Sequence, residues 1–407
     1  MKDARTITEV KEINMNATGT TSVTERIFNT LDVSFMMSGT YMATMKNTRS
    51  KLHLMYCVLV TCVALFHACR TVSFFLQPAT LQDYLASHIA VGCLQLSVVF
   101  LNLVYWFDFH TNYRFLKEEF LRYGINYGLP ESIQKRPRII KYITTSLVAW
   151  ILTVSVGFIV LSFYNVPELK IYYFPFDGLS GWKLVAGIFF ITLSSIPSLI
   201  RVSTIALLFM FCTYVVIKEY ERNFELTKSN VEQMTVIKLN MIIKQHEAVC
   251  DLLTAVNQIM KHFLAGSIVF SFPVHCFLWV TLTNYSSLSA TYFAIISLWA
   301  MLIFLSTFGE YFIAAHVNTT AHKTLGEVWK IDRSTLPETG LKMINIFTTK
   351  LSGSTIGYDI YGFFTLQKSS ILALFGTILT YFIVAVQFKP DGTGEKCLEI
   401  LKNITSN

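Results

Sequence analysis

Seven long apolar runs, separated by polar segments, set the pattern of this 407-residue chain. They cover Leu52–Leu76, Tyr84–Phe107, Tyr142–Tyr164, Trp182–Ile217, Phe263–Thr283, Leu288–Ala315 and Ser369–Phe388. A helix needs about 20 apolar residues to cross a bilayer's hydrocarbon core. Each run therefore predicts a membrane-spanning helix, and the expected fold is an all-α polytopic membrane protein with seven spans. The stretch His262–Gly309 holds no Asp, Glu, Lys or Arg. At its centre, Asn284-Tyr285-Ser286-Ser287 reads as a tight turn between two spans.

The fourth run is too long for one perpendicular crossing. At 1.5 Å per residue it reaches roughly 50 Å, against a core of about 30 Å. It either bends at Pro197 or projects beyond the membrane as one helix. Projection is favoured, because the following segment also has helical spacing. Apolar residues recur there at Val249, Leu252, Leu253, Val256, Ile259, Met260 and Phe263. That is the three-and-four spacing of an amphipathic helix. It predicts helices packing together beyond the bilayer, forming an anchor.

Composition agrees with this pattern. The chain is 53% hydrophobic and 14% charged, with mean hydropathy +0.49, whereas soluble domains carry about 25% charged residues. The eight cysteines are scattered, mostly inside apolar runs. Their spacing matches neither a disulfide framework nor a zinc site, and no cofactor is expected. The first 50 residues are polar and lack an apolar signal core, so the first span is expected to act as its own insertion signal.

Lys and Arg accumulate on the cytoplasmic side of membrane proteins. The segment before the first span carries seven, and the second, fourth and sixth loops are also rich in them. Examples are Arg114, Lys117 and Arg122, then Lys218, Arg222 and Lys228, then Lys323, Lys330 and Arg333. The first and fifth loops have none, and the third has only Lys170. The expected division is a cytoplasmic tail over 1–51, a seven-helix unit over 52–388, and an extracellular tail over 389–407. Residues 218–262 and 316–365 fall on the cytoplasmic side. The sequons at Asn284 and Asn403 agree with this orientation, while those at Asn16 and Asn318 fall on the inner side. A G-protein-coupled receptor has seven spans of the opposite orientation, and its Asn-Pro-x-x-Tyr sequence is missing from the last span here.

The last span ends Thr380-Tyr381-Phe382-Ile383-Val384-Ala385-Val386-Gln387-Phe388. This resembles the TYxxxxxQF signature of insect gustatory receptors. The preceding Tyr361-Gly362-Phe363-Phe364-Thr365-Leu366 resembles that family's approach to its last helix. The resemblance implies a tetrameric, ligand-gated, non-selective cation channel in the plasma membrane of a sensory neuron. Four copies of the last helix would line one pore, and each subunit would hold a small tastant in the outer half of the membrane. The sugar-receptor branch has an acidic residue directly after Thr-Tyr. Phe382 stands here, which points to bitter or other plant compounds rather than sugars.

Polar groups in hydrocarbon face a bundle interior or a wet path. Four copies of Gln387 would make a ring of neutral amides at the pore mouth, and Phe388 a hydrophobic constriction that gates by dewetting. Without the motif, the same pair reads as an interfacial anchor. Thr380 and Tyr381 lie two turns earlier. Tyr381 and Phe388, seven residues apart, share a face, where Tyr381 either couples the last helix to its neighbours or simply packs.

Candidate ligand contacts are the polar and aromatic side chains of the outer halves. They are His88, Gln95, Phe158, Ser162, Trp182, Phe189, Trp279, Tyr292 and Trp299. Such a set suits a small organic ligand, though outer Trp and Tyr also form interfacial belts. Three ionisable residues lie in or near spans. Arg70 is expected to snorkel to the outer surface, and Arg201 and Glu310 are candidates for one buried pair or an ion path. The expected partners are a tastant, membrane lipid and related receptor subunits, with no nucleic acid. An odorant-receptor-type subunit shares the expected topology. A transporter would show internal repeats, and the halves show none. The pattern of acids, histidines and serines does not assemble an enzyme's site.

Overall fold

Apolar side chains at three- and four-residue spacing fold this chain into long helices. The computed structural model describes residues 23–40, 48–74, 81–134, 181–283, 290–353 and 355–387, with positions 143, 145 and 149. α1 covers 23–37, α2 Thr48–Phe74, α3 Leu81–Tyr127, and a short α4 Glu131–Gln134. α5 is Trp182–Asn230, α6 Val236–Thr283, α7 Ala290–Val328, and α8 Glu338–Gly353. A two-stranded hairpin, β1 (Asp359–Ile360) and β2 (Phe364–Thr365), leads into α9, Lys368–Gln387.

Four of these helices, α2, α5, α6 and α7, are each long and apolar enough to cross a membrane. In α3 the parts Gly92–Trp106 and Thr111–Tyr127 are turned 72° from one another and together meet the same criterion. α9 adds a shorter apolar stretch, Lys368–Val384. The expected span Tyr142–Tyr164, the turn at Asn284 and the segment 389–407 lie outside the described residues.

The overlong fourth run does not stop at Pro197. α5 is a 49-residue helix with Pro197 inside it, about 74 Å long at 1.5 Å per residue. A short turn, Val231–Gln233, reverses the chain into the 48-residue α6. The segment 249–263 and the fifth apolar run are thus one helix. Val249, Leu252, Leu253, Val256, Ile259, Met260 and Phe263 are all at most 4% exposed, as their spacing predicts. α3 packs along α6. At Gly266 a methyl group would sit 3.1 Å from the Phe100 ring of α3, so a larger residue there would require that ring to shift.

The first 50 residues are more than a polar tail. Ile27, Phe28, Leu31 and Phe35 of α1 are buried in the main core. The Phe28 ring meets Tyr113, Phe120 and Phe211 edge-on at 5.6–6.5 Å. On the same helix, Asp32 accepts hydrogen bonds from Tyr113 Oη at 2.7 Å and Lys117 Nζ at 3.1 Å. Gly39 ends α1 with φ +72°. Thr40 N–H donates to Phe35 O and Gly39 N–H to Met36 O, the pairing that closes a helix on a left-handed glycine.

Arg201 makes a different contact from the one its position suggests. Its guanidinium donates to Ser38 O at 2.9 Å, where the carbonyl end of α1 concentrates partial negative charge. It does not pair with Glu310, whose carboxylate accepts from Ser306 Oγ at 3.3 Å. Arg70 is also not a snorkelling surface residue, being 9% exposed inside the helix assembly. Asn318, a sequon by sequence, donates to Ile356 O at 2.9 Å and so fixes the turn before the hairpin.

At the charged end of the bundle, polar groups are locked into the apolar packing. Glu219 is fully buried and accepts from Tyr123 Oη at 2.5 Å and from Arg222 Nη1 at 3.5 Å. Asn223 Nδ2 donates to Ile242 O at 2.9 Å across the α5–α6 hairpin. Removing one partner strands a buried acceptor at a cost of about 1–3 kcal/mol. Tyr123→Phe should therefore lower the thermal unfolding temperature of the detergent-purified protein, and the double substitution with Glu219→Gln should recover most of the loss.

Candidate functional site

The final helix is positioned by the segment before it. Tyr358 is fully buried, its hydroxyl 2.6 Å from Thr213 Oγ1 and its ring 5.4 Å from Phe209. Asn257 Nδ2 donates to Asp359 O at 3.2 Å. At the hairpin tip, Tyr361 (φ 53°) and Gly362 (φ 77°) turn the chain, and Tyr361 Oη is hydrogen-bonded to His262 Nδ1. The hairpin is thereby clamped to α5 and α6, and α9 leaves it in a fixed direction.

One side of α9 packs against α6 and α7. Ile371 is buried with Phe308, Tyr311 and Ala315, and Leu374 and Ile378 pack beside them. Phe375 meets Phe308 edge-on at 5.7 Å. Phe382 meets Trp279 at 6.3 Å, and Tyr381 meets Phe272 at 5.3 Å. The opposite stripe is uncovered: Ala373, Gly376, Thr380, Val384 and Gln387 are exposed. Their three-and-four spacing puts them on one face. Thr380 Oγ1 satisfies itself on Gly376 O at 2.8 Å. Thr380 and Gln387 thus share the open face, and Tyr381, although 57% exposed, leans on α6. Phe388 lies outside the described residues.

A cavity of about 250 Å³ opens between four helices. Its walls run from Leu94 to Leu101 on α3 and from Val202 to Ala206 on α5. Phe263 to Val274 on α6 and Ile303 to Glu310 on α7 also line it. Ser97, Ser203, Ser267, Ser271, Ser306 and Thr307 line it among apolar and aromatic residues, with Glu310. Ser267 Oγ accepts from Tyr311 Oη at 3.2 Å, which orients that wall.

The described candidate ligand contacts lie outside this cavity's lining. Tyr292 is 1% exposed in an apolar cluster with Ala90, Ile188, Val274 and Ala300, and Trp299 packs against that cluster. Trp279 bridges to Phe304 and Phe382. Trp182 and Phe189 are exposed on α5, at 76% and 52%. Gln95 is half-buried on α3, beside the cavity-lining Leu94. His88 lies within α3, while Phe158 and Ser162 are outside the described residues. Among the described residues, the cavity wall includes none of the candidates. Its hydroxyls were legible only as a spacing: Ser267 with Ser271, and Ser306 with Glu310, are each one helical turn apart.

Comparison with known proteins agrees with this architecture. Among curated protein sequences none matches the chain. The structure of the insect olfactory receptor OR5 from Machilis hrabei is similar, with TM-score 0.66 at 16% identity over 88% of this chain and 97% of that one. The same receptor in complex with eugenol gives TM-score 0.62 at 16% identity, covering 91% and 99%. These likenesses show the fold, that of an all-helical polytopic membrane protein. Residues 39–391 match the family model described as 7tm Chemosensory receptor, and this chain belongs to that family of receptors.

Proposed function

We propose that this chain is one subunit of a ligand-gated, non-selective cation channel that serves as a gustatory receptor. The observation that carries the reading is the open face of α9. A helix packed on α6 and α7 through Ile371, Leu374 and Ile378 leaves Thr380 and Gln387 uncovered on the opposite stripe. Polar groups in a membrane are retained where they meet a partner or water. Four such helices around a common axis would cover the stripe and wet its polar groups. The Thr380-Tyr381…Gln387-Phe388 sequence supports the gustatory branch, and Phe382 supports a bitter or other plant compound over a sugar.

In this reading the charged ends of α5 and α6, with α1 and α8, form a cytoplasmic anchor. The distribution of Lys and Arg supports that orientation. The sensory-neuron plasma membrane is the site of action, and the partners are related subunits. Ligand binding shifts the bundle, and the ring contacts Tyr381–Phe272 and Phe382–Trp279 transmit the shift to α9. A second reading, an odorant-receptor-type subunit, is favoured by the fold shared with the olfactory receptor that binds eugenol.

Whole-cell current tests the proposal directly. The chain is expressed alone and together with a related receptor subunit, and sugars, bitter plant compounds and volatile odorants are applied in turn. A cation current within milliseconds of a bitter compound, without added nucleotide, is the expected result. Current evoked by volatile odorants alone would favour the second reading. Ligand binding without current at confirmed surface expression would contradict the channel.

A further inference from the structure

We infer that the cavity between α3, α5, α6 and α7 is a binding site for a small protonated amine with an apolar body, held by Glu310. The inference rests on the chain being a receptor for small molecules and names the chemical class that this cavity takes.

Glu310 sits mid-bundle and is 9% exposed. Among the described residues its carboxylate has one hydrogen-bond donor, Ser306 Oγ, at a long 3.3 Å. Arg201, the basic residue on the facing stretch of α5, turns away to Ser38 O. A carboxylate withdrawn from water is costly until a cation and further donors meet it. The cavity gives that cation room. About 250 Å³ of space adjoins the carboxylate, on the scale of a compact organic molecule rather than a bare ion.

The other walls agree with an ammonium compound. Ser267, Ser271 and Thr307 line the space, and a hydroxyl oxygen, with two lone pairs, can accept from the remaining N–H groups of an ammonium. The rings of Phe263 and Phe270 also line it. An aromatic face attracts a cation, more strongly when water is excluded, and an apolar body fits against the same rings. A carboxylate repels an anionic ligand at this distance.

The test uses the full chain, purified in nanodiscs, with three probes that share a phenylethyl body: 2-phenylethylamine, 2-phenylethanol and 3-phenylpropanoate. Binding is read as thermal stabilisation and by calorimetry. The amine is expected to bind at least tenfold more tightly than the alcohol, with no binding of the acid. Glu310→Gln keeps the side-chain shape and should abolish the preference for the amine. Ala206→Phe fills the cavity with Glu310 intact and should abolish binding of both amine and alcohol. Each variant's unliganded unfolding temperature reports whether it folds. Equal affinity for amine and alcohol, a preference that survives Glu310→Gln, or no amine binding to the folded parent overturns the inference. Whole-cell current recorded in parallel separates the two claims. Amine binding without current counts against the channel and leaves the site standing, whereas current from other compounds with no amine binding counts against the site alone.

Discussion

Substituting Gln387 by Arg is expected to abolish ligand-evoked cation current while surface expression stays unchanged. Gln387 is exposed at the end of α9, so among the described residues the longer side chain has open space around it. In a tetramer the change places four guanidinium groups around the pore mouth. A cation about 5 Å from one of them is opposed by roughly 3 kcal/mol at an effective dielectric of 20, and four copies raise that barrier several-fold. Gln387→Glu reverses the sign and should increase the preference for cations over anions. Reversal potentials in mixed-ion solutions read both outcomes. Unchanged current and selectivity in both variants would remove Gln387 from the pore.

Phe28→Ala has the largest expected effect on stability. The Phe28 side chain is fully buried and contacts three aromatic rings from α3 and α5. Truncating a buried Phe costs about 3–5 kcal/mol, because neighbours only partly close the cavity. The substitution should loosen α1, release Asp32 from Tyr113 and Lys117, and cut the yield of folded protein. Thermal unfolding of the detergent-purified chain checks it: an unfolding temperature matching the parent's would mean that α1 contributes little to the fold. Phe28→Leu retains most of the buried volume and should lose much less.

Much of the fold was legible in the hydrophobic pattern, because membrane helices announce themselves by length and apolarity. The continuous α5 and the buried stripe from Val249 to Phe263 follow from helix rise and three-and-four spacing alone. α1 was hidden by its composition. Ile27, Phe28, Leu31 and Phe35 have the spacing of a packed helix, but Thr, Asn and Met around them read as a solvated tail. Arg201 could not be assigned either. Its partner, Ser38 O, lies 163 residues away in sequence, and nothing local distinguishes that contact from a pair with Glu310. The aromatic candidates at the span ends were chosen by depth. Tyr292 and Trp299 lie in and against an apolar cluster, while the cavity is lined by several Ser residues, which occur within apolar runs without breaking them.

Cysteine accessibility along α9 tests the central claim most directly. Ala373, Gly376, Thr380, Val384 and Gln387 are each replaced by Cys, as are the packed Ile371, Leu374 and Ile378. Ligand-evoked current is recorded before and after a water-soluble, charged thiol reagent, with the parent chain as control. Block confined to the exposed stripe, recurring every three to four residues, is the predicted result. Block at Ile371, Leu374 and Ile378 with the stripe unaffected would contradict a pore lined by this face of α9.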